Sequence, residues 1–147
     1  MNKQAIIDQR FMAAAIRVAR HHEGLTGTNP SVACVLARDD GAGFYVVGSG
    51  ITALGGRPHA EPIALAEAGE LAKGATAYVT LEPCAHHGRT PPCAQTLIDA
   101  GVARVVTAVV DPDDRVNSLG HKMLSDAGIV ISTGCLADEA TEGLAAY

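Results

Sequence analysis

Four residues of this chain carry side chains whose types and spacing could do chemistry together: His59, Glu61, Cys84 and Cys93. Imidazole nitrogen and thiolate sulfur are soft-to-borderline donors that select zinc, and a catalytic zinc typically takes three protein ligands and leaves a fourth position for water. His59, Cys84 and Cys93 supply that count. Two thiolates neutralise the formal charge of the ion and moderate its Lewis acidity, so ionising a water there also calls for a neighbouring base. Glu61 is the candidate base.

Singly these signals are weak, because most His-x-Glu tripeptides are solvated helix starts and most cysteine pairs at such a spacing are buried thiols. Their combination is specific. Pro58-His59-Ala60-Glu61 opens one expected helix, Thr80-Leu81-Glu82-Pro83-Cys84 ends the next expected strand, and together they match the His-x-Glu … Pro-Cys pattern of zinc deaminases. In a regular helix the offset between His59 and Glu61 would put their side chains on nearly opposite faces. Both reach one site only if His59 lies in the cap, and Pro58 and Pro62 suit a helix start, where a missing N–H costs nothing. The positive end of the helix dipole there favours thiolate and hydroxide.

The elements that must position these residues follow from periodicity. Phe11, Ala14, Ala15, Val18 and Ala19 recur at helical spacing within Ile7–His22, with Glu23-Gly24 as a stop. After the turn residues 26–30, Val32–Leu36 reads as a buried strand and Phe44–Val47 as its hairpin partner across Arg38–Gly41. A glycine-rich loop, Gly48–Gly56, leads to a helix running to Leu71. Ala75–Leu81 is a strand, residues 82–92 a polar loop, Cys93–Ala100 a helix ended by Gly101, and Val102–Val110 a strand. Leu119–Ala127 is helical, Ile129–Ile131 a short strand, and Ala137–Ala145 a terminal helix. The order α-β-β-α-β-α-β-α-β-α predicts a three-layer α/β/α domain with a mixed sheet of about five strands, sites falling where strand ends meet helix starts.

Composition bounds the rest. The 147 residues are one domain's worth, and 48% apolar with 18% charged residues excludes disorder, while 3% aromatics and no tryptophan leave the core to Ala, Val, Leu and Ile. The formal charge of −5 and the lack of a Lys/Arg cluster argue against a nucleic-acid groove. No apolar run is long enough for a membrane span, and the start MNKQAIIDQR lacks the features of a signal peptide, so a cytoplasmic protein is expected. Four cysteines in such a chain read as buried thiols or metal ligands rather than disulfides. Cys34, inside an apolar strand, reads as a core residue, and Cys135 has no evident partner.

The stretch from Tyr78 through Cys93, with Ala85-His86-His87-Gly88-Arg89-Thr90-Pro91-Pro92 between the cysteines, resembles the deaminase domain of the bifunctional riboflavin-biosynthesis deaminase/reductases. Most zinc deaminases place only two residues between these cysteines, and the long insert marks the riboflavin branch. Asn29-Pro30, Cys34-Val35, Gly101–Val105, Asp111-Pro112 and Ala127–Ile129 fall in the same order, so the resemblance covers nearly the whole chain. It implies a cytidine deaminase-like fold and hydrolytic removal of the 2-amino group of a diaminopyrimidinone carrying a ribosylamino 5′-phosphate. It further implies zinc ligands at His59, Cys84 and Cys93, a proton shuttle at Glu61, and substrate contacts at Asn29, His86 and Arg89. Residues 1–147 would form a single zinc-dependent deaminase domain without the reductase domain. The expected partners are a small pyrimidine substrate, a second copy in a homodimer and a separate reductase.

Two positions depart from that family's usual pattern. Thr52 stands where a histidine is usual after Gly48-Ser49-Gly50-Ile51, and a hydroxyl there would offer the substrate one neutral hydrogen bond. Ser118 stands where a glycine is usual. Two alternative functions compete with the riboflavin reading. One is a free-standing deaminase of another amino-heterocycle, such as a nucleobase, nucleoside or pterin precursor, which the altered Thr52 and Ser118 favour and the intact insert opposes. The other is a non-catalytic zinc-binding subunit, against which Glu61 argues, since a closed structural site has no use for a carboxylate beside the metal.

Overall fold

The computed structural model describes residues 2–86, 88, 90–111 and 118–144. Helix α1 (Lys3–Arg20) precedes a hairpin of β1 (Ala33–Asp39) and β2 (Phe44–Ile51), followed by α2 (Ala60–Ala68), which runs into a 3-10 turn (Gly69–Ala72). Then come β3 (Thr76–Leu81), α3 (Cys93–Ala100), β4 (Arg104–Val109), α4 (Leu119–Asp126), β5 (Val130–Ser132) and α5 (Ala137–Leu144). The strands form one mixed sheet in the order β2-β1-β3-β4-β5, antiparallel across β2, β1 and β3 and parallel from β3 to β5.

Both faces of the sheet are covered, which is why its central strands are buried at successive positions rather than at alternate ones. Cys34, Leu36, Ala77, Val79 and Val105 face α2, α3 and α4, against Ala64, Leu97 and Leu124. Ala33, Val35, Ala37, Tyr78 and Val106 face α1 and α5, against Met12, Ala15, Ile16 and Ala140. Phe11 stacks on Tyr78 at 5.3 Å. The expected three-layer architecture is present.

Several expected boundaries shift: β1 runs through Arg38 and Asp39 into the expected turn, and α2 gives way to the 3-10 turn after Ala68. Two further shifts have a clear physical reason. Helix α1 begins at Lys3, earlier than its apolar period, because the side chain of Asn2 accepts the Ala5 N–H at 2.8 Å and caps an exposed polar first turn. The expected glycine-rich loop is half strand, since Gly48–Ile51 complete β2. Those glycines are there for space. A Cβ on Gly48 would lie 2.4 Å from the Ala64 carbonyl oxygen, and one on Gly50 2.2 Å from that of Ala60. Only bare backbone lets α2 lie this close to the edge strand.

The α1 face is tied to the sheet by a polar cluster. Asp8 accepts two bonds from Arg104, at 2.7 and 2.6 Å, and one from the Tyr78 hydroxyl at 2.8 Å, while Arg104 also donates to Ser132. Burial pushes the Asp8 carboxyl up, but the bonds from Arg104 and Tyr78 outweigh it and hold it below its usual value. A depressed carboxyl stabilises the fold fully above its unfolded pKa, and that stabilisation is lost as pH falls through the folded value. Asp8→Asn is therefore expected to cost about 2–3 kcal/mol in urea unfolding at neutral pH, the scale of hydrogen bonds to a charged group. The deficit should narrow only below about pH 4. An equal deficit at pH 7 and well below pH 3 would contradict this account.

Candidate active site

Helix α2 starts where the sequence places it. His59 is its N-cap, with extended backbone (φ −70°, ψ 171°), and Glu61 sits in the first turn. The cap geometry turns the imidazole off the helix, so the two side chains converge despite their offset. Cys84 follows the end of β3 and Cys93 begins α3. The backbone N–H of Cys93 donates to the Cys84 sulfur at 3.2 Å, which ties the head of α3 to the chain leaving β3.

The ligand atoms of His59, Cys84 and Cys93 lie within 4.8 Å of one another. His59 Nδ1 is 3.5 Å from Cys93 Sγ. A tetrahedral zinc with Zn–N of about 2.1 Å and Zn–S of about 2.3 Å would hold such a pair about 3.6 Å apart. One nitrogen and two sulfurs at this spacing fit zinc, with room for a fourth, non-protein ligand.

The electrostatics agree. The Cys84 thiol is held down to about 4, first by hydrogen bonding with Cys93, against the opposing effect of burial, and then by His59. The Cys93 thiol is pushed up, by its bond to Cys84 and by burial, so without an ion the pair shares one proton. A divalent cation would displace that proton. Glu61 is 4% exposed, and its carboxyl is pushed up to about 7, chiefly by burial and further by the negative charge of Cys84. A carboxyl poised near neutral pH both accepts and returns protons readily.

Arg57, His59, Cys84, His86, Gly88, Thr90 and Pro91 line a shallow, open pocket beside these groups. His86 is thus one of the lining residues, and it is exposed. Asn29 is not among the lining residues; its amide donates to the Gly56 carbonyl at 2.8 Å and so braces the loop before His59. Arg89 lies outside the described residues. Thr52 does not offer a bond to substrate. It is 1% exposed, and its hydroxyl accepts the Val32 N–H at 2.9 Å and donates to the Val32 carbonyl at 3.3 Å. A short hydroxyl at a strand end bonds local backbone more readily than it reaches a pocket.

Glu82 has a part that motif reasoning missed. Its buried carboxylate accepts the N–H groups of Asp111, Ser118 and His121 at 3.1, 2.8 and 3.1 Å, capping α4 from a neighbouring strand end. Gly120 packs so closely that a Cβ would lie 1.9 Å from the Pro83 carbonyl oxygen. Glu82 and Pro83 thus set the position of Cys84 against α4. The one available signal was a carboxylate abutting an apolar strand. Ser118 takes a left-handed conformation (φ 64°), the reason glycine suits that position. All four cysteines are free thiols, Cys34 wholly buried in the core.

Fold and site together define a zinc-binding deaminase domain, and the chain belongs to the cytidine and deoxycytidylate deaminase zinc-binding family, whose model matches residues 5–109. Within that family it is similar to the riboflavin biosynthesis protein RibD of Haemophilus influenzae, 54% identical over 130 residues, and to that of Escherichia coli, 50% identical over 135. These matches cover 88% and 92% of this chain but only 34% and 36% of the relatives, so the chain spans about a third of their length. Among solved structures, RibD of Acinetobacter baumannii superposes with a TM-score of 0.87 at 46% identity, over 96% of this chain and 39% of that one. A Thermotoga maritima protein described as a diaminohydroxyphosphoribosylaminopyrimidine deaminase and 5-amino-6-(5-phosphoribosylamino)uracil reductase superposes with a TM-score of 0.87 at 33% identity, over 97% and 40%. No helix among the described residues is long and apolar enough to cross a membrane.

Proposed function

We propose that the chain removes the 2-amino group of a diaminohydroxypyrimidine bearing a phosphoribosylamino group, as in riboflavin biosynthesis, with His59, Cys84 and Cys93 holding zinc and Glu61 moving protons. The observation that carries this reading is the convergence of an N/S/S ligand set and a buried carboxyl that interacts with all three ligand residues. The likeness to RibD proteins supports the choice of substrate. Zinc bound there supplies a Lewis acid that activates water for attack. Glu61 takes a proton from the attacking water as its oxygen bonds to the amino-bearing carbon, and delivers that proton to the adjacent ring nitrogen. A second proton then passes through the same carboxyl to the amine, the C–N bond breaks, and ammonia leaves behind a ring carbonyl. His86 and Arg89 supply polar contacts to the substrate, while Asn29 braces the loop that carries His59. The product is a uracil, and a reductase acts on its ribosyl group next.

Zinc-loaded protein assayed for ammonia release is expected to prefer the phosphoribosyl diaminopyrimidinone over cytidine and guanine in kcat/KM. Faster turnover of cytidine or of the unphosphorylated nucleoside would overturn the riboflavin assignment and leave a deaminase of another amino-heterocycle.

A further inference from the structure

We propose that the guanidinium of Arg57 is an anion-binding group of this pocket, holding the phosphate of the substrate and setting the preference for phosphorylated over unphosphorylated pyrimidines. The inference deepens the deaminase reading and rests on it for the identity of the heterocycle. Arg57 lines the pocket alongside His59, Cys84 and His86, and none of the described lining residues is an aspartate or a glutamate. Arg20, Arg38 and Arg104 face carboxylates. Arg57, by contrast, makes no hydrogen bond or ion pair among the described residues, so its donors are uncommitted.

The backbone that carries it is braced on both sides. Asn29 donates to the Gly56 carbonyl, Ala53 N–H to the Pro58 carbonyl at 3.0 Å, and Gly55 N–H to the Leu25 carbonyl at 2.9 Å. A close approach fixes Gly56 as well, since a Cβ there would lie 2.6 Å from the Thr26 carbonyl oxygen. Only the side chain of Arg57 remains to be ordered on binding, which keeps the entropic cost small. A planar fork of N–H donors matches phosphate oxygens, and such charge-assisted bonds are about twice as strong as neutral ones. Thr52, turned inward onto Val32, leaves this role to Arg57 on the same loop.

Two measurements on zinc-loaded wild type, Arg57→Ala and Arg57→Lys test the proposal. In calorimetric titration with ribose 5-phosphate, Arg57→Ala should weaken binding by ~10-fold or more, the scale of one charge-assisted contact, with Arg57→Lys in between and ribose itself indifferent to all three. In kinetics, Arg57→Ala should raise KM for the phosphorylated pyrimidine by a similar factor, with zinc content and kcat unchanged and KM for the unphosphorylated counterpart unmoved. Equal ribose 5-phosphate binding by wild type and Arg57→Ala, or equal loss on both pyrimidines, would overturn the proposal. If ribose 5-phosphate binding depends on Arg57 while the phosphorylated pyrimidine is not turned over, the anion site stands and the substrate reading falls.

Discussion

Glu61→Gln is expected to retain zinc and fold while kcat falls by ~10²- to 10⁴-fold, the scale of a lost general acid/base. Glutamine has the same shape and can still hydrogen-bond, but it cannot take a proton from water and give it up twice in one turnover. The fold should tolerate the change because glutamine fills the same buried space without placing a charge there. A smaller charged substitute would confuse position with chemistry, and Glu61→Asp is the less informative variant. Ammonia release, zinc content and thermal unfolding measured on the same preparation separate the outcomes. Near-normal turnover in Glu61→Gln would show that another group moves the protons.

The other large effect concerns the metal. Purified protein should carry about one equivalent of zinc, and His59→Ala, Cys84→Ala and Cys93→Ala should each weaken its binding by more than ~10²-fold. Loss of an outer partner alone typically costs 10- to 100-fold, and these three residues make up the cluster of donors found among the described residues. Each loss should also lower the melting temperature, because an ion bound only by the folded state contributes stability by mass action. Chelator treatment of the unaltered protein should reproduce that drop. Cys34→Ala and Cys135→Ala should keep full zinc, since neither belongs to the cluster. Full zinc occupancy in Cys93→Ala would sink the ligand assignment.

Much of the candidate site is legible in the chain because its signals are local. Two prolines bracket a His-x-Glu, the offset within that tripeptide demands a cap position, and the cap is where His59 stands. Helix α3 begins at Cys93 and ends at Ala100, with Gly101 in the left-handed conformation (φ 76°), because start and stop signals act within one turn. The same locality makes the alternation of strands and helices readable, and with it the three layers.

What the tertiary structure alone decided depends on groups far apart in sequence, for which no period or propensity carries information. Asp8 finds Arg104 across 96 positions, and Glu82 finds His121 across 39. Gly48 and Gly50 look like loop residues until α2 lies on them, when the missing Cβ becomes the reason they are there. Thr52 looks available to substrate until Val32 claims both of its hydrogen-bonding roles. Arg57 stands two residues before His59 in the chain, but that it lines the pocket with no ion-pair partner among the described residues is visible only in the fold. Residue types set which chemistry the chain can do, whereas close approach of its distant segments selects the residues free to do it.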